Sequence, residues 1–211
     1  SDDREVRCYA MVVDHLRTGA DVAADVRRNW YSQRDADDGC NFAADRLYTA
    51  RKLSELDVWR KARLAMETNR PRAARAAVDI VTPEAAAQVA EIQASPVKYL
   101  AGRAVAGSRL RKELAVLALI KVAADNPDQA ATLLDAKWSV HLNAEERNWT
   151  WGVIGKQAAT RLSDAALGYY ANVTRDADLN DDLLAWKARA ALRQGQWKTV
   201  LAATRAMSEE G

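Results

Sequence analysis

The 211-residue sequence has few residues that break helices, with nine glycines and four prolines. Alanine instead recurs throughout, as in AARAAV at 73–78 and PEAAAQVA at 83–90. Alanine has the highest intrinsic helix propensity of the amino acids, so strands have little room in this chain. We therefore expect an all-α fold.

Long apolar runs are missing as well. The most apolar stretch, LAVLALIKVAA at 114–124, is interrupted by Lys121 and is shorter than the roughly 20 residues that a membrane-spanning helix needs. We expect no transmembrane segment. The sequence opens at Ser1 with neither an initiator methionine nor an apolar leader, which favours a mature fragment of a longer protein.

Charge of one sign is also not in excess. The 31 basic and 29 acidic side chains are interleaved and give a net charge of +2, so no nucleic-acid partner is indicated. The basic pairs Arg27-Arg28 and Arg51-Lys52 are expected on solvated helix faces.

Residue types that carry chemistry are sparse. The two histidines, His15 and His141, have no cysteine or histidine at ligand spacing, which argues against zinc. The acidic stretch 176–181 resembles a calcium loop, but Asp181 stands where the loop needs glycine and Lys187 where it needs glutamate. Phosphate loops, dinucleotide fingerprints and G-x-S-x-G are not found. We expect no catalytic residue, no cofactor and no metal.

A helix-turn-helix pattern occurs five times along the sequence. A turn residue is followed five positions later by a small side chain, with turns at Gly19, Asn69, Asp125, Arg161 and Gly195. Such helix pairs bury their apolar faces only by stacking on one another. The pattern predicts an α-superhelix of tetratricopeptide-like helix pairs over residues 1–211, a single domain because no flexible linker interrupts it. An irregular helical bundle is the alternative.

Helix ends carry capping signals, with Ser54, Thr82 and Asn143 as predicted N-caps and a proline in the first turn of four helices. The predicted helices are 4–17, 20–31, 40–52, 54–68, 71–80, 84–93, 97–105, 109–124, 128–138, 144–161, 164–173, 180–194 and 196–207.

Seven tryptophans accompany a single phenylalanine. Tryptophan can stack on sugar rings, but large aromatic side chains also fill gaps between alanine-lined helices, and we favour packing for most of them. Trp30 and Trp138 stand at helix ends beside polar residues, so we predict that these two are the more exposed candidates for carbohydrate contact.

Cys8 and Cys40 are the only cysteines and lie 32 residues apart. In a bent solenoid the first and third helices can be neighbours, which would bring the two within bonding distance. A disulfide would imply an oxidising compartment, whereas two buried free thiols would suit a cytosolic protein. Composition leaves both open.

Residues 8–78 resemble the helical N-terminal region of the soluble lytic murein transglycosylases. The features that carry this resemblance are Cys8, NWY at 29–31, GCNFAADRL with Cys40 at its start, and VWRKARLAMETNRPRAARAAV at 58–78. The segment AWKARAALRQGQWKTVLAATRAM at 185–207 is similar to a later helix pair of the same family.

The resemblance implies a periplasmic enzyme with an N-terminal superhelical (U-type) domain, a disulfide between Cys8 and Cys40, and a C-terminal lysozyme-like domain. That domain cleaves peptidoglycan glycan strands and leaves 1,6-anhydromuramoyl ends. Its E-S, G-L-M-Q and A-Y-N-A-G motifs do not occur in these residues.

We therefore expect a scaffold segment that is itself inactive, with peptidoglycan and other cell-wall enzymes as partners. The basic residues Arg27, Arg28, Arg51 and Lys52 are candidates to hold anionic muramyl peptides. The alternative is a free-standing tetratricopeptide-like module that binds a peptide or a partner helix in its concave face.

Overall fold

The structure, a computed structural model, describes residues 2–36, 38–103 and 107–208. Those residues form helices joined by short turns and include no strand, so the all-α prediction is confirmed. The chain divides into two compact units, Ser1–Ser95 and Pro96–Gly211, which are described separately. That residues 1–211 form one continuous domain stays a prediction.

The first unit contains six helices within its described residues: α1 (Asp2–Thr18), α2 (Ala23–Ser32), α3 (Asp38–Thr49), α4 (Glu55–Glu67), α5 (Pro71–Val81) and α6 (Pro83–Ala94). Helix α1 packs mainly on α3, and α5 packs on both α4 and α6. Fully buried side chains of this unit include Trp30, Trp59 and Met66. These large apolar groups provide most of the burial that holds short helices together.

Cys8 of α1 and Cys40 of α3 form a disulfide, as the family resemblance implies, and both residues are fully buried. Gly39 precedes Cys40, and a β-carbon at Gly39 would lie 2.5 Å from the backbone oxygen of Glu5. Only glycine therefore lets the first turn of α3 approach α1 this closely.

The second unit begins with α7 (Pro96–Lys98), which passes into a π-helix at Tyr99–Arg103. Its other helices are α8 (Arg109–Asp125), α9 (Pro127–Leu133) with a π-helical extension at Leu134–Trp138, α10 (Ala144–Thr160), α11 (Ala166–Tyr170), a 3₁₀ turn at Asp176–Asp178, α12 (Asp181–Arg193) and α13 (Trp197–Ser208). Helix α10 packs between α8 and α12. Each of these three also packs on the helix that follows it, which is the predicted pairing of helices.

Tight turns lie at three of the predicted positions. Gly19, Asn69 and Gly195 all have left-handed backbone, with φ of 72°, 57° and 68°. Asp125 instead ends α8. At the fourth turn Arg161 caps α10, and Leu162 takes the left-handed conformation with φ of 58°.

The predicted N-caps Ser54 and Asn143 are confirmed. The Ser54 hydroxyl accepts a hydrogen bond from the Asp57 backbone N–H at 3.1 Å, and the Asp57 carboxylate accepts one from the Ser54 N–H at 2.9 Å. Asn143 and Glu146 make the same reciprocal pair at 2.8 Å each. Thr82 is the N-cap residue of α6 as predicted, but its hydroxyl donates to the Glu84 carboxylate at 3.1 Å and makes no cap bond to the backbone.

Three predicted helices differ from the structure. The helix predicted at 97–105 is α7 plus a π-helix up to residue 103, and its last two positions lie outside the described residues. The helix predicted at 128–138 changes from α to π at Leu134, and the one predicted at 164–173 is only the five residues of α11. Hydrophobic periodicity marks which face is buried but does not register a change in hydrogen-bond spacing.

Candidate binding surfaces

The tryptophans predicted to be most exposed are buried. Trp30 has 0% and Trp138 has 1% of its surface accessible, so that prediction is wrong. The polar neighbours cover these rings instead of leaving them open: the Trp30 indole N–H donates to the Asn41 side-chain oxygen at 3.0 Å. The Lys137 ammonium lies 4.9 Å from the centre of the Trp138 ring. Trp59, Trp149 and Trp151 are buried too, which agrees with packing as the role of most tryptophans.

Trp197, which the sequence did not single out, is the exposed tryptophan. It is 65% accessible at the first position of α13, and Leu201 is exposed one turn later. Residues four apart lie on one helix face, so the two side chains form an apolar stripe. The helical spacing of Trp197 and Leu201 was visible in the sequence, but nothing in it distinguished an exposed face from a buried one.

The first of the predicted basic pairs reaches solvent, as expected, and also forms ion pairs. Arg28 forms an ion pair with Asp25 at 2.7 Å, and Arg27 forms one with Asp57 at 3.3 Å. Arg51 and Lys52 are exposed in the turn after α3, where Arg51 has left-handed backbone with φ of 60°. This second pair fits the predicted solvated position.

A cavity of about 340 Å³ lies in the first unit, where the chain leaves α2 beside α4. We call it the Gln33 cavity, and its lining residues are Tyr31, Ser32, Gln33, Arg34, Lys61, Leu64, Ala65, Thr68 and Arg70. The buried Lys61 ammonium donates to the backbone oxygens of Trp30 and Gln33 at 2.6 and 2.9 Å. These bonds fix the backbone that carries Gln33 and Arg34.

The Gln33 side chain gives this cavity unused hydrogen-bonding capacity. Neither its amide nitrogen nor its amide oxygen has a hydrogen-bond partner among the described residues, although both atoms are buried. Leaving a buried polar group without a partner costs on the order of 1–3 kcal/mol. Arg34 and Arg70 add positive charge to the lining, and Asp35 lies 3.7 Å from Arg70. The combination suits a ligand that bears a carboxylate.

The Tyr31 hydroxyl is an anchor of this cavity and not a reactive group. It donates to the backbone oxygen of Asp57 at 2.6 Å. Burial raises the pKa of Tyr31 well above its usual range, and the nearby Asp57 carboxylate raises it further. The phenol therefore stays protonated, and keeps donating this bond, at an alkaline pH where an ordinary tyrosine would ionise.

A second cavity, of about 290 Å³, lies in the second unit among α10, α11 and α12. We call it the Trp186 cavity. Small and apolar side chains make up most of its lining, and the charged members are both arginines. The lining residues are Ala159, Leu162, Ser163, Ala166, Leu167, Trp186, Arg189, Ala190, Leu192, Arg193 and Gln194. The Arg189 guanidinium lies 4.5 Å from the centre of the Trp186 ring.

The buried Glu146 has a structural role. Glu146 is buried, and one carboxylate oxygen accepts the Asn143 N–H in the cap of α10. In the part of the chain that the structure describes, no group of three or more histidine, cysteine, aspartate or glutamate side chains could hold a metal ion. No helix among the described residues is long and apolar enough to cross a membrane.

Comparison with known proteins gives a structural likeness. No protein-family model matches the chain, and no curated protein sequence matches it. Among solved structures the chain is similar to the lytic transglycosylase Slt of Pseudomonas aeruginosa, solved as an inactive mutant, with a TM-score of 0.58 and 23% identity. The match covers 96% of this chain and 34% of that chain, so this chain spans about a third of that protein. At this identity the likeness shows a shared fold.

Proposed function

We propose that this chain is the superhelical scaffold segment of a periplasmic lytic transglycosylase, an enzyme that cleaves peptidoglycan glycan strands to 1,6-anhydromuramoyl ends. Catalysis would lie in a part of the enzyme beyond these residues. The observation that carries the proposal is the likeness to a lytic transglycosylase over 96% of the chain. The order of Cys8, Cys40 and the 58–78 segment, found in the sequence alone, points the same way.

The disulfide supports the periplasmic part of the proposal. Disulfides persist in oxidising compartments such as the bacterial periplasm and are rare in the cytosol. Cys8 and Cys40 are bonded and fully buried, so the bond joins α1 to α3 inside the first unit. Alkylation of the non-reduced protein should add no mass at either cysteine. Two modified thiols would favour the free-standing intracellular module instead.

The Gln33 cavity is the proposed contact with peptidoglycan. The stem peptides of muramyl units bear carboxylates, and arginine pairs with carboxylates through two parallel N–H bonds. Arg34 supplies positive charge, Arg70 supplies charge that it shares with Asp35 at 3.7 Å, and the unpartnered Gln33 amide supplies a donor and an acceptor. In this proposal the scaffold positions the polymer and leaves its covalent bonds intact.

The test incubates the purified chain with murein sacculi and measures two quantities. Cosedimentation should show binding, and mass spectrometry should detect no 1,6-anhydro muropeptides above a control without protein. The double variant Arg34→Glu with Arg70→Glu should bind about tenfold less, because it places two carboxylates where the ligand carboxylate would lie. A tenfold loss corresponds to about 1.4 kcal/mol of binding free energy. Arg7→Glu, compared with Arg34→Glu alone, is the matched control, because Arg7 is an exposed arginine on α1 outside the cavity lining.

Two results would contradict the proposal. Release of anhydro muropeptides by the chain alone would place catalysis within these residues. Failure of the unaltered chain to sediment with sacculi would remove the scaffold role, whereas equal binding of the cavity variant and the control would remove only the Gln33 cavity from it. Docking of other cell-wall enzymes on the chain remains part of the proposal.

A further inference from the structure

The mouth of the Trp186 cavity exposes two large apolar side chains. Leu162 and Leu192 are 64% and 52% accessible, while Ala166 and Ala190 at the cavity floor are buried. Apolar area removed from water contributes about 25 cal/mol per Å², so a ligand that covers these leucines gains affinity from the contact. The site therefore favours an apolar ligand group.

The backbone at Leu162 argues that the leucine is there for the cavity. Its φ of 58° is left-handed, a conformation that costs a residue with a β-carbon roughly 1–2 kcal/mol. Helices commonly end with glycine at this position, as this chain does with Gly19 and Gly195. Turn geometry would favour glycine here, so it does not account for an exposed leucine.

The charges at the cavity have one sign. Arg189 and Arg193 are one turn apart on α12, and like charges at this spacing destabilise a helix by about 0.2–0.5 kcal/mol. Among the described residues, neither arginine has a carboxylate within 4.0 Å. Arg193 also faces the negative end of α12, but Arg189 lies too far from that end to share this benefit. An acidic ligand would neutralise both.

The size and lining of the cavity favour a peptide side chain over a sugar. Ligand pockets usually measure about 300–1,000 Å³, so a cavity of about 290 Å³ suits one anchoring group. Sugars need many hydrogen-bonding partners, and the neutral polar lining residues are Ser163 and Gln194. Arg189 already covers one face of the Trp186 ring, where a sugar would stack.

We propose that the Trp186 cavity binds an acidic peptide segment of a partner protein. The segment inserts one bulky apolar side chain between Leu162 and Leu192 and places carboxylates against Arg189 and Arg193. This site is independent of the proposed contact with peptidoglycan, because it lies in the other unit of the chain.

The test uses fluorescence anisotropy with a fluorescein-labelled synthetic peptide that has one phenylalanine flanked on each side by two glutamates. This peptide should bind the full chain saturably. A peptide with alanine in place of phenylalanine and a peptide with lysines in place of the glutamates should each bind about tenfold more weakly or worse, a loss of about 1.4 kcal/mol. Chitotetraose, the sugar probe, should not displace the acidic peptide.

Two variants locate the site on the protein. Arg189→Glu with Arg193→Glu should weaken binding about tenfold or more. Lys198→Glu, compared with Arg189→Glu alone, is the matched charge control, since Lys198 is exposed on α13 and does not line the cavity. Leu162→Gly should also weaken binding, and because glycine suits the left-handed turn, the loss cannot be assigned to unfolding.

The proposal is overturned by any of three results. The lysine peptide binding as tightly as the acidic one would remove the role of the arginines. An equal loss in Lys198→Glu would place binding elsewhere or make it general charge attraction. Displacement by chitotetraose would identify the cavity as a sugar site.

Discussion

Single residues with left-handed backbone differ in how well they suit it. Arg51, Asn69 and Leu162 all have φ near 60° without being glycine. Asparagine tolerates this region because its short polar side chain can hydrogen-bond locally, whereas arginine and leucine gain nothing comparable. Two turns of this protein therefore keep a side chain at the expense of conformational energy.

We predict that Leu162→Gly stabilises the protein. The substitution removes the left-handed penalty, and although glycine also gives the unfolded chain more freedom, the net gain should be roughly 0.5–1 kcal/mol in the free energy of unfolding. Urea denaturation followed by circular dichroism measures it. Gly195→Ala is the converse control and should lose about 1 kcal/mol. A destabilised Leu162→Gly would mean that the exposed leucine makes packing contacts that outweigh its strain.

A second prediction at this scale concerns alkaline pH. Burial and a hydrogen bond to Asp128 raise the pKa of Tyr169 from 10.0 to about 12. The folded state thus keeps a proton that the unfolded state releases between pH 10 and 12, so the free energy of unfolding falls as the pH rises through that window. Tyr169→Phe should reduce this fall in urea denaturation at pH 9 to 12 without abolishing it, because buried Tyr31, whose pKa is also raised, contributes over the same range. Val140→Ala, a change at an exposed side chain that does not titrate, should leave the slope as steep as in the unaltered protein.

At the scale of elements, the disulfide holds α1 against α3. A bond that closes a loop over a separation of 32 residues restricts the unfolded chain, and loop-closure reasoning gives roughly 3–4 kcal/mol. We predict that Cys8→Ala with Cys40→Ala lowers the free energy of unfolding by about that amount. Chemical denaturation with and without a reductant provides the measurement. The variant should not respond to the reductant, and an unaltered protein that loses no stability on reduction would contradict the prediction.

Helix existence could be predicted because the capping chemistry is local. Ser54 and Asn143 each stand three residues before an acid that completes the cap, and the structure contains both reciprocal pairs. Thr82 has a hydroxyl that could cap a helix, but it is the single residue between α5 and α6. Its hydroxyl donates to the Glu84 carboxylate instead. The change from α to π at Leu134 leaves no mark on hydrophobic spacing.

The binding surfaces could not be predicted, because whether a side chain is buried or exposed depends on how the helices pack on one another. Trp30 and Trp138 share with Trp197 a position near a helix end, yet the first two are buried and the third is exposed. Both cavities bring together residues from separate helices, such as Leu162 after α10 and Trp186 on α12. The basic pairs were visible in the sequence, and so was Asp25, three residues before Arg28 on the same helix. Asp57, the carboxylate paired with Arg27, belongs to another helix, and only the fold brings it there.

At the scale of the whole molecule, the two units differ in what they offer. The Gln33 cavity belongs to Ser1–Ser95 and is lined mostly by polar and charged residues, while the Trp186 cavity belongs to Pro96–Gly211 and is mostly apolar. If both proposals hold, one unit binds a carboxylate-bearing polymer and the other binds an acidic peptide. Variants of the Gln33 cavity should then lose binding of the polymer only, and variants of the Trp186 cavity should lose binding of the peptide only.

We predict that residues 1–95 fold when expressed alone under oxidising conditions. The unit contains its own buried aromatic core around Trp30 and Trp59, its own disulfide and a natural end at Ser95 before Pro96. A domain of this length can bury enough apolar surface to be stable. Circular dichroism should show a helical spectrum and a cooperative thermal transition. A spectrum of unfolded chain would show that the unit depends on residues 96–211.

The distribution of tryptophans gives the protein a built-in optical label. Indoles shielded from water emit at shorter wavelengths and are reached slowly by collisional quenchers such as acrylamide. Trp30 and Trp59 are wholly buried in the first unit, whereas Trp186 and Trp197 in the second are partly or largely accessible. Quenchable, red-shifted light should therefore come from residues 96–211, and it should dim or shift when a ligand covers the ring of Trp186.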